Sequence, residues 1–584
     1  GGRAWAARGL ARLARRWGDL PEPRPAAGTA THPYALDLDL FGHASLASLL
    51  EPVHTPPGRR TLGAWLLEPS PREASRARQA AVRELSSAWV QREAVAVEGA
   101  LLTDAGGGGA GPGAPPATAA AVAPADDDHD DDGFRRFLAW CGERGRLPGW
   151  LAGAAWALPA LLAVSAAAHA AGWASARGWL ILLVLQAGVA FRFGARLHRQ
   201  FSLAATGVPG LRRYHALLAR WEGYPARAPL LRAEVARLGG GGEGARASRA
   251  LADLERTLHL ADARLSSLHP VLAVVLLWDV HVAARLLAWR RHHGGSVEGW
   301  MEALGRLEAL ASLATLAGDH PDWAWPDLEA SGGAPRLAAR GLGHPLLAPA
   351  ACVRNDVEVG PPGTVLLVTG SNMSGKSTLL RSLGLAAVMG GAGAPVCAGA
   401  LRLPPLRLFT SMRVQDSLEA GVSYFMAELL RLKALLDAAG AAGAAGATDA
   451  AGATDAAGTA GTASPTLLYL VDEVLQGTNS EERRLAGRRL IRHLLRRDAI
   501  GAVTTHDLEL HREPEVAAAA VLVHFREALD EAGAELTFDY RLRPGLATTR
   551  NALALAERVG LTDPDAGAPS GPSAPPAPPY RTTP

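Results

Sequence analysis

The run VLLVTGSNMSGKSTLL at residues 365–380 constrains this chain more than any other stretch. Residues 365–368 are continuously apolar, as a strand buried on both faces should be. Gly370, four intervening residues and then Gly375-Lys376-Ser377 follow, with leucines at helical spacing after them. Strand, glycine loop and helix in that order are the context a phosphate-binding loop needs. The glycines let backbone N–H groups close around phosphate oxygens, and the helix N-terminus adds its dipole. Lys376 is the cation for the β- and γ-phosphates, and Ser377 offers a hydroxyl to Mg²⁺. Gly370, Ser371, Asn372, Met373, Ser374, Gly375, Lys376, Ser377 and Thr378 are therefore the expected nucleotide-binding residues, with ATP and Mg²⁺ as ligands.

Such a loop needs a carboxylate on a second buried strand. The segment TLLYLVDEV supplies one, because residues 467–471 are apolar and run into Asp472-Glu473. Asp472 is placed to hold Mg²⁺, and Glu473 to polarise an attacking water. Residues 500–503 read as a further buried strand leading to Thr505-His506-Asp507. A histidine at the C-terminal end of such a strand lies on the ligand side of a parallel sheet. His506 thus joins Lys376 and Glu473 as a catalytic candidate, an edge-of-core histidine being the alternative. The fold class that follows is an α/β P-loop NTPase domain late in the chain.

With 584 residues there is room for roughly two to five domains. Hydrophobic residues make up 48% and charged residues 20%, too apolar for a disordered chain. Lys plus Arg number 59 against 57 Asp plus Glu, so no global basic excess advertises nucleic acid, and a DNA role needs a local patch. Cys141, Cys352 and Cys397 are too scattered for a disulfide framework or a cysteine-based zinc site, which favours a reducing, cytosolic setting. No signal peptide is legible in the sequence as it begins.

Residues 104–133 read as a disordered Gly/Pro/Ala linker ending in an acidic run. That run lacks EF-hand spacing and is expected as a solvated tract, not a metal site. Residues 437–464 repeat ATDAAG-like units and are expected as a low-complexity loop insertion with room for partial helix; residues 563–584 are expected as a disordered tail. Residues 1–33 open with RAWAARGLARLARRW, a basic helical segment that could touch membrane or nucleic acid, or be merely solvated.

Residues 150–173 carry no charged side chain, and residues 178–191 form a second uncharged apolar run. The first is long enough for about 30 Å of hydrocarbon. Arg144 and Arg146 precede the pair, Arg192, Arg196 and Arg199 follow it, and only Arg177 sits in the connection. That asymmetry fits a transmembrane hairpin over residues 134–200 with both ends cytoplasmic. An alanine-rich pair buried inside a soluble protein is the alternative. Residues 271–278, cut short by Asp279, His281 and Arg285, are expected in a core or lever helix, and residues 201–334 as a helical lever.

Taken together, TGSNMSGKST, LVDEVLQGTNSEER and TTHDLEL resemble the ATPase domain of the MutS mismatch-repair family, in the family's order. Asn372-Met373 inside the loop separates that family from other P-loop proteins. The likeness extends through GLGHPLL at 341–347, Asn355-Asp356, RVQDSLEAGVSYFMAELLRLK at 413–433 and FDYRLRPGLATTRNALALAERVG at 538–560. LDLDLFGHASLASLLEPVHTPPGRRTLGAWLLEPSP, from residue 36, resembles the opening of the family's helical core over 34–103. The resemblance implies an ATPase domain over 335–562, with Lys376, Ser377, Asp472, Glu473 and His506 as nucleotide and hydrolysis residues. It also matches Gly421-Val422-Ser423 to a segment that reaches a partner subunit's γ-phosphate, implying a homodimer with Ser423 as the trans contact. Tyr424 stands where the family usually has Thr, and a helix cap is the alternative role for Ser423.

The departures are as informative. About 33 residues precede the core-like segment, fewer than the roughly 50 of a small domain, so a mismatch-reading domain is not expected in this sequence. The triplet Phe525-Arg526-Glu527 is expected to lie beyond the ATPase strands and not to act as a mismatch wedge. The linker and apolar hairpin occupy the place of the family's DNA clamp. The resemblance therefore implies an ATP-dependent DNA-binding protein, cytoplasmic but tethered to the cell membrane, with duplex DNA as a partner and little mismatch discrimination. The alternative is a membrane-anchored, ATP-switched scaffold that does not bind DNA.

Overall fold

The computed structural model describes residues 1–23, 28–103, 127–143, 147–206, 211–239, 246–328, 334–371, 373–413, 424–451, 465–475, 480–506, 512–529 and 536–546. Ahead of residue 320 every described element is helical. Nine strands follow among the described residues: β1 Leu337–Leu342, β2 Asn355–Val359, β3 Val365–Thr369, β4 Ala400–Arg402, β5 Leu406–Ser411, β6 Thr466–Asp472, β7 Ala499–Thr504, β8 Ala520–Leu529 and β9 Leu536–Pro544. They form a small antiparallel sheet, β2-β1-β4, and a six-stranded sheet, β5-β6-β7-β3-β8-β9. The larger sheet is parallel from β5 to β8, and β9 closes it antiparallel to β8.

The pleat sorts residues of the central strands onto two faces. Leu366, Val368, Leu468, Leu470, Ile500 and Ala502 join the helical core, while Val365, Leu367, Leu467, Tyr469, Val471 and Val503 pack in a second cluster with the helices Tyr424–Ala451 and Ser480–Leu495. Burial on both faces is why these strands read as unbroken apolar runs. The helix Lys376–Ala392, which follows the glycine loop, lies on the core side.

Helical core and sheet domain are pinned together at Asp37. Its buried carboxylate accepts from Thr410 Oγ1 at 2.6 Å, from the backbone N–H groups of Met412 and Arg413 at 3.1 and 3.0 Å, and from Arg431 at 2.9 Å. The end of β5 is thereby fixed as it leads into the segment expected to carry Ser423.

The lever is one helix, Trp278–Asp319, of 42 residues, or about 63 Å at 1.5 Å per residue. Its second half is packed by the helices Pro56–Leu67 and Arg72–Ser87. Gly305 marks the crossing: a Cβ there would stand 2.7 Å from the Pro57 carbonyl, so only glycine allows this approach. Glu308, on the same helix, is fully buried and accepts from Thr55 Oγ1 and from the His54 N–H. Burial pushes its carboxyl up to about 7, against the bonds from Thr55 and His54. A folded-state value above the ordinary 4.5 means the native state holds the proton more tightly. The associated stability is therefore full below about 4.5, falls as pH rises, and is gone above about 7, a loss of about 3 kcal/mol. Urea unfolding at about pH 5 and pH 8 should show Glu308→Gln with a much shallower decline than the wild type; equal declines would refute it.

The basic N-terminal helix, Gly2–Ala14, is not a free surface element. Arg12 is buried, bonding Glu51 at 2.5 Å and Asp319 at 2.9 Å. Arg15 donates to the Pro345 carbonyl at 3.0 and 2.8 Å and faces the His320 ring. The arginines that give the helix its basic pattern are thus partly spent on the end of the lever.

One other expectation is corrected. The stretch expected as linker to residue 133 is helical from Asp127, in the helix Asp127–Gly142, because Phe134, Phe137, Trp140 and Cys141 bury one stripe in the helical core. Residues 437–451 continue the helix Tyr424–Ala451, the partial helix for which the alanine content leaves room. Residues 104–126, 452–464 and 547–584 lie outside the described residues.

The hairpin helices are Gly149–Ala170 and Arg177–Thr206. Both are long and apolar enough to cross a membrane by length and composition, and only 17% and 11% of their most apolar stretches are buried. Within this chain the pair is therefore largely uncovered. Leu151 and Ala155 are buried at its base, while Val164, Ile181 and Val184 are exposed by 67% or more. Pro159 has no N–H, which leaves the Ala155 carbonyl without its helical donor. His281 of the lever supplies one at 2.9 Å. Residues 271–278 do not form one element: the short helix His269–Val275 breaks at Leu277, in the left-handed region at φ 48°, and the lever leaves at 78° to it.

Candidate nucleotide site

Strand register assembles the site. Val368 lies beside Thr504, and Thr504 beside Asp472, so β3, β7 and β6 end abreast. The glycine loop, Asp472-Glu473 and His506 leave these ends on one edge, the ligand edge of a parallel sheet. Gly370 and Gly375 have φ 145° and 104°, values an L side chain rarely adopts, which is why glycine stands at both.

Lys376 is buried and donates to the carbonyls of Gly370 and Ser371 at 2.9 and 2.8 Å. Its ammonium also lies 3.3 Å from His506 Nε2, and His506 Nε2 lies 2.6 Å from Glu473 Oε1. His506 Nε2 donates to Glu473, and the Lys376 ammonium lies beside that same nitrogen. Burial lowers the Lys376 ammonium from its ordinary value, opposed by the charges of Glu473, Asp472 and Glu527. The hydrogen bond from His506 holds the Glu473 carboxyl below the usual range, against burial and with help from Lys376 and Arg483. Glu473 is therefore kept as an anionic acceptor, the state that polarising a water requires.

Glu473 has φ 53°, a strained value for a non-glycine residue. Its N–H donates to Thr504 Oγ1 at 2.9 Å, and the same hydroxyl donates to Asp472 Oδ1 at 2.6 Å. Thr504 thus orients both carboxylate residues, a role invisible before strand register is known.

The cleft beside the loop has a volume of about 420 Å³. Ser371, Met373, Gly375, Lys376, Ser377, Thr378 and Glu473 border it at one end. Leu342, Val353, Phe525 and Tyr540 form an apolar and aromatic wall. Ser374 does not border the cleft; it is buried and donates to the Ser371 carbonyl at 2.8 Å, closing the loop. Asn372 and Ser423 lie outside the described residues. Phe525 corrects its expected place: it is buried on β8, inside the sheet and against the glycine loop. The alternating pattern of VLVHFREAL was the available signal for that strand. Asn355 fixes β9 by donating to the Tyr540 carbonyl at 2.9 Å and accepting from the Leu542 N–H at 2.8 Å.

The residues fit a nucleotide and its metal. Among the described residues, Ser371 Oγ is buried without a hydrogen-bond partner beside Lys376, as a donor awaiting phosphate should be. The Ser377 hydroxyl and Asp472 carboxylate are hard oxygen donors, and Mg²⁺ is commonly held by one or two protein oxygens plus phosphate and water.

Parallel sheet, glycine loop and strand-borne acidic pair define a P-loop nucleotide-binding domain. A family model described as MutS domain V matches residues 366–444. The DNA mismatch repair protein MutS 2 of Halobacterium salinarum is 30% identical over 45% of this chain and 27% of its own length. The DNA mismatch repair protein MutS of Natronomonas pharaonis is 29% identical over 45% and 27%. Endonuclease MutS2 of Thermomicrobium roseum is 31% identical over 39% and 26%. The chain is therefore similar to MutS proteins, through the domain V match and over less than half of its own length. The match spans about a quarter of each of these relatives.

Proposed function

We propose that this chain is an ATP hydrolase of MutS type that uses ATP binding across a dimer interface to move a helical lever ending in a membrane-inserted hairpin. The observation that carries the reading is the convergence of Lys376, Glu473 and His506 at one sheet edge, with Ser377 following Lys376 in the chain and the Asp472 charge acting on Lys376. Lys376 and the loop N–H groups bind the β- and γ-phosphates. Glu473, anionic, holds and polarises the attacking water, while His506 fixes its carboxylate. Ser377 and Asp472 would hold Mg²⁺, which when bound neutralises charge on the phosphate oxygens. The apolar wall of Leu342, Val353 and Tyr540 suits a flat base. Arg15 joins the loop beside the cleft, at Pro345, to the lever end at His320, giving nucleotide state a mechanical route to the lever.

Relatives named for mismatch repair make duplex DNA the first candidate for what the lever grips. The exposed apolar hairpin favours a second reading, a membrane-anchored scaffold that never holds DNA. In light scattering, the Glu473→Gln chain should pass from monomer to dimer on adding ATP, and Ser423→Ala should weaken that step. A mass unchanged by ATP would remove the composite site. Duplex binding that weakens steeply with salt would select the DNA reading; none at low salt would select the scaffold.

A further inference from the structure

Cys352 lies between β1 and β2, and Cys397 shortly before β4. The backbone at Gly343 brings them together: its N–H donates to the Cys397 carbonyl at 2.8 Å. A Cβ on Gly343 would stand 2.5 Å from Cys352 Sγ and 3.0 Å from Cys397 Sγ, so the missing side chain is what lets both sulfurs occupy one space. The two thiols face each other in that space, and Cys352 Sγ also lies 3.7 Å from the His344 carbonyl. The contact with Cys397 and the charges of Arg354 and Arg15 draw the Cys352 thiol down against its burial. The same contact and burial push Cys397 up. Cys352 is half-buried and Cys397 buried, the arrangement of an accessible nucleophile backed by a resolving thiol. The loop carrying Cys352 also supplies Leu347, Ala351 and Val353 to the nucleotide cleft.

We propose that Cys352 and Cys397 are a reversible thiol–disulfide site that locks this wall of the cleft under oxidising conditions. The oxidant is a small disulfide of the glutathione class. Cys352 thiolate attacks one of its sulfurs and expels a glutathione thiolate, which takes up a proton; Cys397, losing its proton to solvent, then attacks Cys352 Sγ and expels the second. One protein disulfide forms and two glutathione thiols are released. The crosslink ties the 343–354 loop to the buried segment before β4, so the wall cannot adjust to a base.

The test uses the full chain, reduced and then treated with oxidised glutathione, with peptide mapping after alkylation. A Cys352–Cys397 link reversed by dithiothreitol is expected, with Cys141 free, because burial pushes that thiol up to about 12. ATP affinity should fall by about threefold or more on oxidation, about 0.7 kcal/mol, and Cys397→Ser, or Cys397→Ala if serine disturbs the fold, should hold it at the reduced value. A mixed disulfide left on Cys352, or no reaction, overturns the site. A link without change in affinity overturns the locking of the wall. Only that consequence rests on the nucleotide reading: if the reduced chain binds no ATP, that reading fails while the peptide map still decides the thiol pair.

Discussion

Glu473→Gln should bind ATP as tightly as the wild type and lose about a hundredfold or more in turnover. The substitution keeps the size and hydrogen-bonding reach of the side chain but removes the negative charge that polarises water. It leaves untouched the cradle formed by Lys376 and the loop, and leaves Thr504 to hold Asp472 at 2.6 Å. A neutral amide also accepts a weaker hydrogen bond from His506, now 2.6 Å away, so a small change in binding is tolerable while a large loss of turnover is required. Steady-state phosphate release beside equilibrium nucleotide binding separates the two. A variant that turns over at the wild-type rate would remove Glu473 from the reaction.

The hairpin carries the second large effect. Val164, Ile181 and Val184 are exposed, so changing all three to Asp should leave packing against the lever undisturbed. In hydrocarbon each carboxylate costs about 2.5–3.5 kcal/mol at a helix centre. The wild-type chain is therefore expected in the membrane fraction after alkaline carbonate washing, and the triple variant in the soluble fraction with an unchanged circular dichroism spectrum. A wild-type chain that washes off, or a variant that stays in the pellet, would contradict membrane insertion.

The nucleotide loop was legible because its chemistry is local: within residues 365–380 the sequence states strand, turn and helix in order. Asp472-Glu473 and His506 were legible for the same reason, each ending an apolar run. Thr504 was not, since its role exists only where β6 and β7 pair in register. Phe525 and Tyr540 were hidden likewise: β8 and β9 reach the loop by sheet order, not by sequence proximity. Composition misled at residues 127–133, where helix packing overrode a linker-like reading. Arg12 and Arg15 misled in another way. A basic periodicity suggests a solvated face, yet their partners Glu51, Asp319 and Pro345 are distant in sequence.

The most direct test of the central claim, that one nucleotide is held and hydrolysed at this sheet edge, is phosphate release from ATP by the purified wild-type chain, with Lys376→Ala and a Mg²⁺ chelator as blanks. Release that requires Mg²⁺ and disappears in Lys376→Ala is the predicted result. No release by the wild type, or release equal in the variant and with the chelator, would contradict it.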